Sequence, residues 1–77
     1  MNAHDFEATR LRRQRVTELA GELSRPELTP AMLSTVMNAT VEACADAYLN
    51  QDFANGDRFA QLNSIAHRRA FGAPEVA

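Results

Sequence analysis

Arginine is the residue type in this sequence whose chemistry points most clearly to binding. The chain has eight arginines and no lysine, and four of the arginines lie within six positions. These four are Arg10, Arg12, Arg13 and Arg15. A guanidinium group is planar and pairs bidentately with phosphate or carboxylate groups. The spacing therefore suggests a segment that binds anions, either on a nucleic acid or on an acidic protein.

Three interpretations of this arginine segment are open. It binds phosphate groups of a nucleic acid, it binds an acidic protein partner, or it is a solvated helix face. In the last case Glu7 neutralises Arg10, and Glu18 neutralises Arg15, at helical spacing. The chain has a net charge of −2 and no aromatic residue among these arginines, which disfavours nucleic acid. A run of charges is most often a solvated face. Of the two binding interpretations we prefer a protein partner and keep a nucleic-acid-binding regulator as the alternative.

The segment that carries these arginines is predicted to be a helix over about residues 4–24. Its apolar stripe is regular only in the second half, at Val16, Leu19, Ala20 and Leu23. Arg12 falls in the middle of this stripe, so we expect it to extend to solvent, to pair with an acid such as Glu42 or Asp46, or to mark an interface.

Two apolar residues of the first half, Phe6 and Leu11, lie off the stripe. They are either loosely held or used in a contact outside this helix. The predicted partner-binding residues are therefore Phe6 and Leu11 together with Arg10, Arg12, Arg13 and Arg15.

A second helix is predicted over about residues 30–51, after a short connector that contains two prolines. Thr29 can cap its N-terminus, and Pro30 suits the first helical position, where no amide donor is needed. Its apolar face comprises Leu33, Val36, Met37, Thr40, Val41, Cys44, Ala47 and Tyr48. Because the connector is short, we expect the first two helices to be antiparallel neighbours.

The end of the second helix is ambiguous in the sequence. Either the helix continues through Phe53 and ends at Asn55-Gly56, or it ends near Asn50 and an irregular loop follows. In both cases Asn55-Gly56 is interpreted as a turn, and Leu49 and Phe53 form a second apolar surface that a third helix covers.

The third helix is predicted over about residues 57–71, capped by Asp57 and ended by Gly72. Residues of its apolar face are Phe59, Leu62, Ile65, Ala66 and Ala70. Residues 73–77 are predicted to be a frayed tail. The expected fold is all-α, a small three-helix bundle in which the middle helix packs against the other two.

No residue pattern indicates catalysis, a metal site or a cofactor. Cys44 lies on an apolar face without a neighbouring base, which is typical of a small core residue. His4 and His67 do not fit a zinc-ligand spacing. Ser64 and His67 share one helix, but a nucleophile also needs an oriented base and an oxyanion hole.

The size of the chain predicts a need for a partner. A single core in a chain of 77 residues rarely supplies more than about 3–5 kcal/mol, so we expect a homodimer or a module completed by another protein. The lone cysteine and the lack of a signal segment or an apolar run long enough to span a membrane indicate a cytoplasmic protein. The preferred function is a small non-enzymatic regulator or inhibitor that binds a larger protein.

Overall fold

The computed structural model describes residues 3–72 of the chain, with side chains from residue 6 onward. These residues form three α-helices and no strand: α1 (Ala3–Leu23), α2 (Pro30–Leu49) and α3 (Phe53–Phe71). The predicted all-α three-helix bundle is confirmed. The predicted frayed tail, residues 73–77, lies outside the described residues, and so does the side chain of His4.

The start of α2 follows the local signals in the sequence. The Thr29 hydroxyl accepts a hydrogen bond from the Met32 amide at 3.1 Å, and Pro30 occupies the first helical position. Both features satisfy or remove amide donors that have no partner within the helix. The predicted cap of α2 is therefore confirmed.

The end of α2 agrees with the predicted alternative in which the helix ends near Asn50, but the predicted irregular loop up to Gly56 is wrong, because α3 begins at Phe53. The Gln51 amide donates to the Tyr48 carbonyl at 3.0 Å, and the Asp52 amide donates to the Ala47 carbonyl at 2.8 Å. This pair of bonds is a Schellman motif, whose residue after the cap has a left-handed backbone and is usually glycine. Here that residue is Gln51, with φ of 61°. The sequence did not indicate this motif, because glutamine is not a residue typical of the left-handed position.

The third helix begins four residues before the predicted boundary. Asp52, not Asp57, is the N-cap, and its side chain accepts from the Asn55 amide at 3.4 Å. Asn55 and Gly56 are buried in the first turns of α3 and do not form a turn. The prediction was wrong because Asn-Gly is a common turn pair, whereas here a cap three residues earlier determines the local structure.

The three helices alternate in direction, with α1 parallel to α3. The Asn55 side chain donates to the Thr9 carbonyl, and Arg69 donates to the Leu23 carbonyl. Each bond joins residues 46 positions apart, so the two helices stay in register along their common length. The pair α2–α3 has the most extensive contact, and α1 contacts α3 more than α2. Thus the middle helix packs against both others, as predicted, and α3 has a more extensive contact with α1 than α2 has.

The core is a single cluster along the centre of the bundle. Its buried apolar residues are Leu19, Leu23, Leu33, Val36, Ala47, Phe59, Leu62 and Ala66. Thr40 is also fully buried, and its hydroxyl donates to the Met37 carbonyl at 2.9 Å and accepts from Asn63 at 2.9 Å. The polar core position is therefore satisfied internally.

Several predicted apolar positions, Tyr48 and Ala70 among them, are more exposed than their helical spacing suggested. Val41 is 55% exposed, and Ile65 is also on the surface. Leu49 is 84% exposed and Phe53 is 57% exposed, so the prediction that a third helix covers this second apolar surface is wrong, since Phe53 is itself the first residue of α3. The buried face of α2 is thus rotated away from Val41 toward Ala43, which packs against the core.

Candidate protein-binding surface

Arg12 is the residue that connects the first half of α1 to the rest of the bundle. Its Nε donates to Asp46 Oδ2 at 3.0 Å, and its Nη1 donates to Asp52 Oδ2 at 3.3 Å. Of the expected outcomes, pairing with Asp46 is confirmed and extension to solvent is wrong, since the Arg12 side chain is only 16% exposed. The hydrogen bond with Asp46 raises the pKa of Arg12, so the guanidinium stays charged.

Asp52 is the partner that the sequence interpretation missed. Its carboxylate, 9% exposed, accepts from Arg12, from the Asn55 amide and from Asn55 Nδ2 at 2.9 Å. Burial alone would raise the pKa of Asp52, but these hydrogen bonds outweigh it and lower the pKa. The Asp52–Asn55 spacing resembles a helix cap followed by a polar residue three positions later, and this signal could have identified Asp52.

The other arginines of the segment do not form one charged patch. Arg10 Nε bonds Glu7 at 3.1 Å, and Arg15 bonds Glu18 at 3.1 Å, both as predicted. These pairs are exposed, so each contributes little to stability and can be exchanged for another carboxylate. Among the residues 6–72, Arg13 is exposed and makes no ion pair. The four arginines therefore serve three different roles.

Large apolar side chains surround this end of the bundle. Phe6 is 63% exposed and Leu11 is 51% exposed. Because Thr9 lies level with Asn55, and α3 starts at Phe53, the turns of α1 before Thr9 extend past the start of α3. Phe6 therefore has no helix opposite it. Together with Arg13 and the exposed Leu49 at the end of α2, Phe6 and Leu11 define what we call the α1-end surface.

Cys44 and its neighbours form packing contacts between α2 and α3. Cys44 Sγ lies 3.4 Å from the Gly56 carbonyl oxygen, to which it donates a hydrogen bond. The Tyr48 ring covers Gly56, and the Tyr48 hydroxyl donates to Asp57, which raises the pKa of Tyr48. Cys44 packs against the core, as predicted for a small buried residue.

Within the described part of the chain, the structure offers no set of three or more histidine, cysteine or acidic side chains able to hold a metal ion. Ser64 and His67 are both exposed and line a shallow surface depression. None of the three helices has the length and apolarity that crossing a membrane requires. Several large apolar side chains and arginines are exposed among the described residues.

Comparisons with known proteins add no functional information. No family model matches the chain, and searches of curated proteins and of solved structures gave no match.

Proposed function

We propose that this protein is a small, non-enzymatic binding module whose α1-end surface attaches to a larger protein. The observation that carries this proposal is the exposure of Phe6, Leu11 and Leu49 at one end of the bundle. Large apolar side chains that are exposed at one end of a bundle are typical of protein interfaces.

The chemistry of the surface indicates the kind of partner. Among the residues whose side chains the structure describes, Arg13 makes no ion pair, and Arg10 and Arg15 can exchange their surface glutamates for carboxylates of a partner. An acidic surface with an apolar patch therefore complements it. Binding that covers a functional surface of this partner would make the protein a regulator or inhibitor.

The geometry supports a rigid binding surface. The hydrogen bond from Asn55 to the Thr9 carbonyl holds α1 about one turn away from Phe6. The Arg12 ion pairs hold α1 about two turns away from Phe6. A surface that is ordered before binding loses less conformational entropy when the complex forms. We expect α1 to dock without refolding.

The test is capture of partners from native cells with the tagged full chain, followed by titration of each identified partner. We expect Leu11→Asp and Arg13→Glu each to weaken binding at least tenfold. Gln61→Glu is the matched control, because Gln61 is exposed on α3 and lies away from the α1-end surface. Circular dichroism of each variant shows whether the fold is retained.

Two results would contradict the proposal. One is a partner whose affinity is the same for wild type and for the Phe6→Asp/Leu11→Asp double variant. The other is salt-dependent retardation of duplex DNA that Arg13→Glu abolishes while no protein is captured, which would favour the nucleic-acid alternative.

A further inference from the structure

The outer face of the α2–α3 pair, opposite α1, has a regular series of exposed residues. On both helices they alternate at spacings of four and three, the spacing of a coiled-coil contact line. We call these residues the outer seam: Ser34, Asn38, Val41, Ala45 and Tyr48 on α2, and Phe53, Asp57, Ala60, Ser64, His67 and Phe71 on α3.

The outer seam is nearly free of charge. Asp57 is its one acidic residue, and its side chain accepts a hydrogen bond from Tyr48. A groove of about 410 Å³ runs along its middle and has no charged lining residue. The groove is lined by Val41, Cys44, Ala45, Ala60, Asn63 and Ser64. Removing such a surface from water is favourable in free energy when the partner surface is also uncharged.

The two halves of the outer seam have a common centre. Asn63 bonds Thr40 across the two antiparallel helices, so Val41 lies level with residue 62. Residue 62 is the midpoint of the α3 half, 53–71, and Val41 is the midpoint of the α2 half, 34–48. A two-fold axis that runs across both helices at the level of Val41 and residue 62 therefore passes through the middle of the outer seam.

The residues of α3 are arranged symmetrically about this centre. Phe53 and Phe71 are equidistant from residue 62, and so are Asp57 and His67. Ala60 and Ser64, both small, are the innermost pair. On α3, rotation about the axis would therefore place Phe53 opposite Phe71 and Ala60 opposite Ser64, whereas on α2 it would place Tyr48 opposite Ser34 and Asn38 opposite Ala45. It would also place Asp57 opposite His67 and next to Arg68 of the second copy.

From this symmetry we propose that the outer seam binds a second copy of the chain, with α3 packed antiparallel on α3 and α2 on α2. The charges are complementary, because Asp57 of one copy lies near His67 and Arg68 of the other. The small residues at the centre allow close approach of the helices, and Val41 meets its own copy on the axis.

The area of the seam corresponds to an interface at the lower end of the usual size range. Two helices about 30 Å long and about 10 Å in diameter present roughly 600 Å² on each copy, somewhat less than the about 800 Å² per partner of a standard interface. We therefore expect a reversible dimer. Glu18 and Glu22 lie on α1, away from the outer seam, and Glu42, next to Val41, flanks the contact. The α1-end surface also stays exposed, so this proposal is independent of the proposed function.

Analytical ultracentrifugation of the full chain at about 100 μM tests the dimer. We expect a mass twice that of the 8.5 kDa chain, and a monomer for Ala60→Arg, because this substitution places a cation at the centre of the contact. Gln61→Arg, one position away on the exposed surface, is the matched control and should remain dimeric. Circular dichroism should show folded helices in all three proteins. A folded wild-type monomer at this concentration would overturn the proposal.

Disulfide trapping tests the arrangement. In a Cys44→Ser background, Val41→Cys should form a covalent dimer by itself. Ala60→Cys should crosslink efficiently only when mixed with Ser64→Cys, because residue 60 and its copy are displaced by about 6 Å along the helix axis. Efficient crosslinking of Ala60→Cys alone, together with no crosslinking of Val41→Cys, would contradict the antiparallel arrangement.

Discussion

The two halves of α1 are attached to the bundle by different interactions. The second half buries Leu19 and Leu23 in the core, and Val16 and Ala20 pack against it. The first half has its large apolar residues on the surface and is held by the Arg12 ion pairs and by the bond from Asn55 to the backbone. One half of the helix is thus held by apolar burial and the other by directional polar contacts.

This difference indicates what the polar contacts contribute. A partly buried ion pair gives little net stability compared with apolar packing, but leaving one of its members unpaired is costly. Arg12 reaches carboxylates at the end of α2 and at the cap of α3, so it determines the position of α1 relative to both helices. The first half of α1 therefore stays in position against α2 and α3 although Phe6 and Leu11 are exposed.

The largest expected effect concerns the half held by burial. We expect Leu19→Ala to lower the free energy of unfolding by about 2–5 kcal/mol, because the residue is buried in the core. Leu11→Ala, the same change in the exposed half, should cost less than about 0.5 kcal/mol. Urea unfolding followed by circular dichroism measures both. Equal losses for the two variants would show that the halves do not differ in this way.

The second prediction concerns Arg12. Arg12→Ala should lower the free energy of unfolding by about 1–3 kcal/mol, because it leaves the Asp52 carboxylate buried with fewer partners. The control, Arg10→Ala, removes an exposed pair and should cost about 0.5 kcal/mol or less. Amide exchange should accelerate mainly in the first half of α1 in the Arg12 variant. Uniform acceleration over the whole helix would contradict a local role for Arg12.

The pH dependence of stability provides a third comparison. The pKa of Asp52 is lower in the folded protein than its ordinary value, so its stabilising contribution is present above about pH 4 and is lost as the pH falls through the folded-state pKa. Asp52→Asn should therefore lose less stability than wild type on acidification from about pH 5 to pH 2.5. Urea unfolding across this range measures the difference, and parallel curves for the two proteins would contradict the assignment.

The smallest effects are expected at two helical glycines. A Cβ at Gly21, in the second half of α1, would meet nothing within 4 Å, whereas at Gly56 it would lie 3.1 Å from the Tyr48 ring. Gly21→Ala should therefore stabilise the protein by about 0.5–1 kcal/mol through helix propensity. Gly56→Ala should stabilise the protein less, because the Tyr48 ring must move to make room for the added methyl group. Thermal unfolding measures both, and a larger gain at Gly56 would show that Tyr48 adapts without cost.

Interactions between residues close in sequence were predictable. The Thr29 cap, the end of α3 at Gly72 and the pairs Glu7–Arg10 and Glu18–Arg15 were confirmed, because each depends on groups within four positions of one another. The end of α2 near Asn50 was one of two predicted alternatives. The sequence did not decide between them, because the left-handed position is occupied by Gln51 instead of glycine. The start of α3 was missed because the turn signal of Asn55-Gly56 outweighed the cap signal of Asp52.

The placement of Arg12 shows the limit of sequence interpretation. Its position on the apolar stripe identified it as unusual, and Asp46 was among its predicted partners. Its contact with Asp52, 40 positions away, depends on how three helices are arranged. The predicted binding role of Phe6, Leu11 and the arginines remains a prediction, with Arg12 assigned by its geometry to holding α1 in position.

By itself, the sequence determined that this chain forms three helices and that Thr29, Pro30 and Gly72 mark two of their ends, because helix periodicity and capping are local. Only the tertiary structure decided that α3 has a more extensive contact with α1 than α2 has, that Val41 faces outward and that Arg12 joins two carboxylates. Helical periodicity defines an apolar side only broadly, and the packing of neighbouring helices selects which residues of that side are covered.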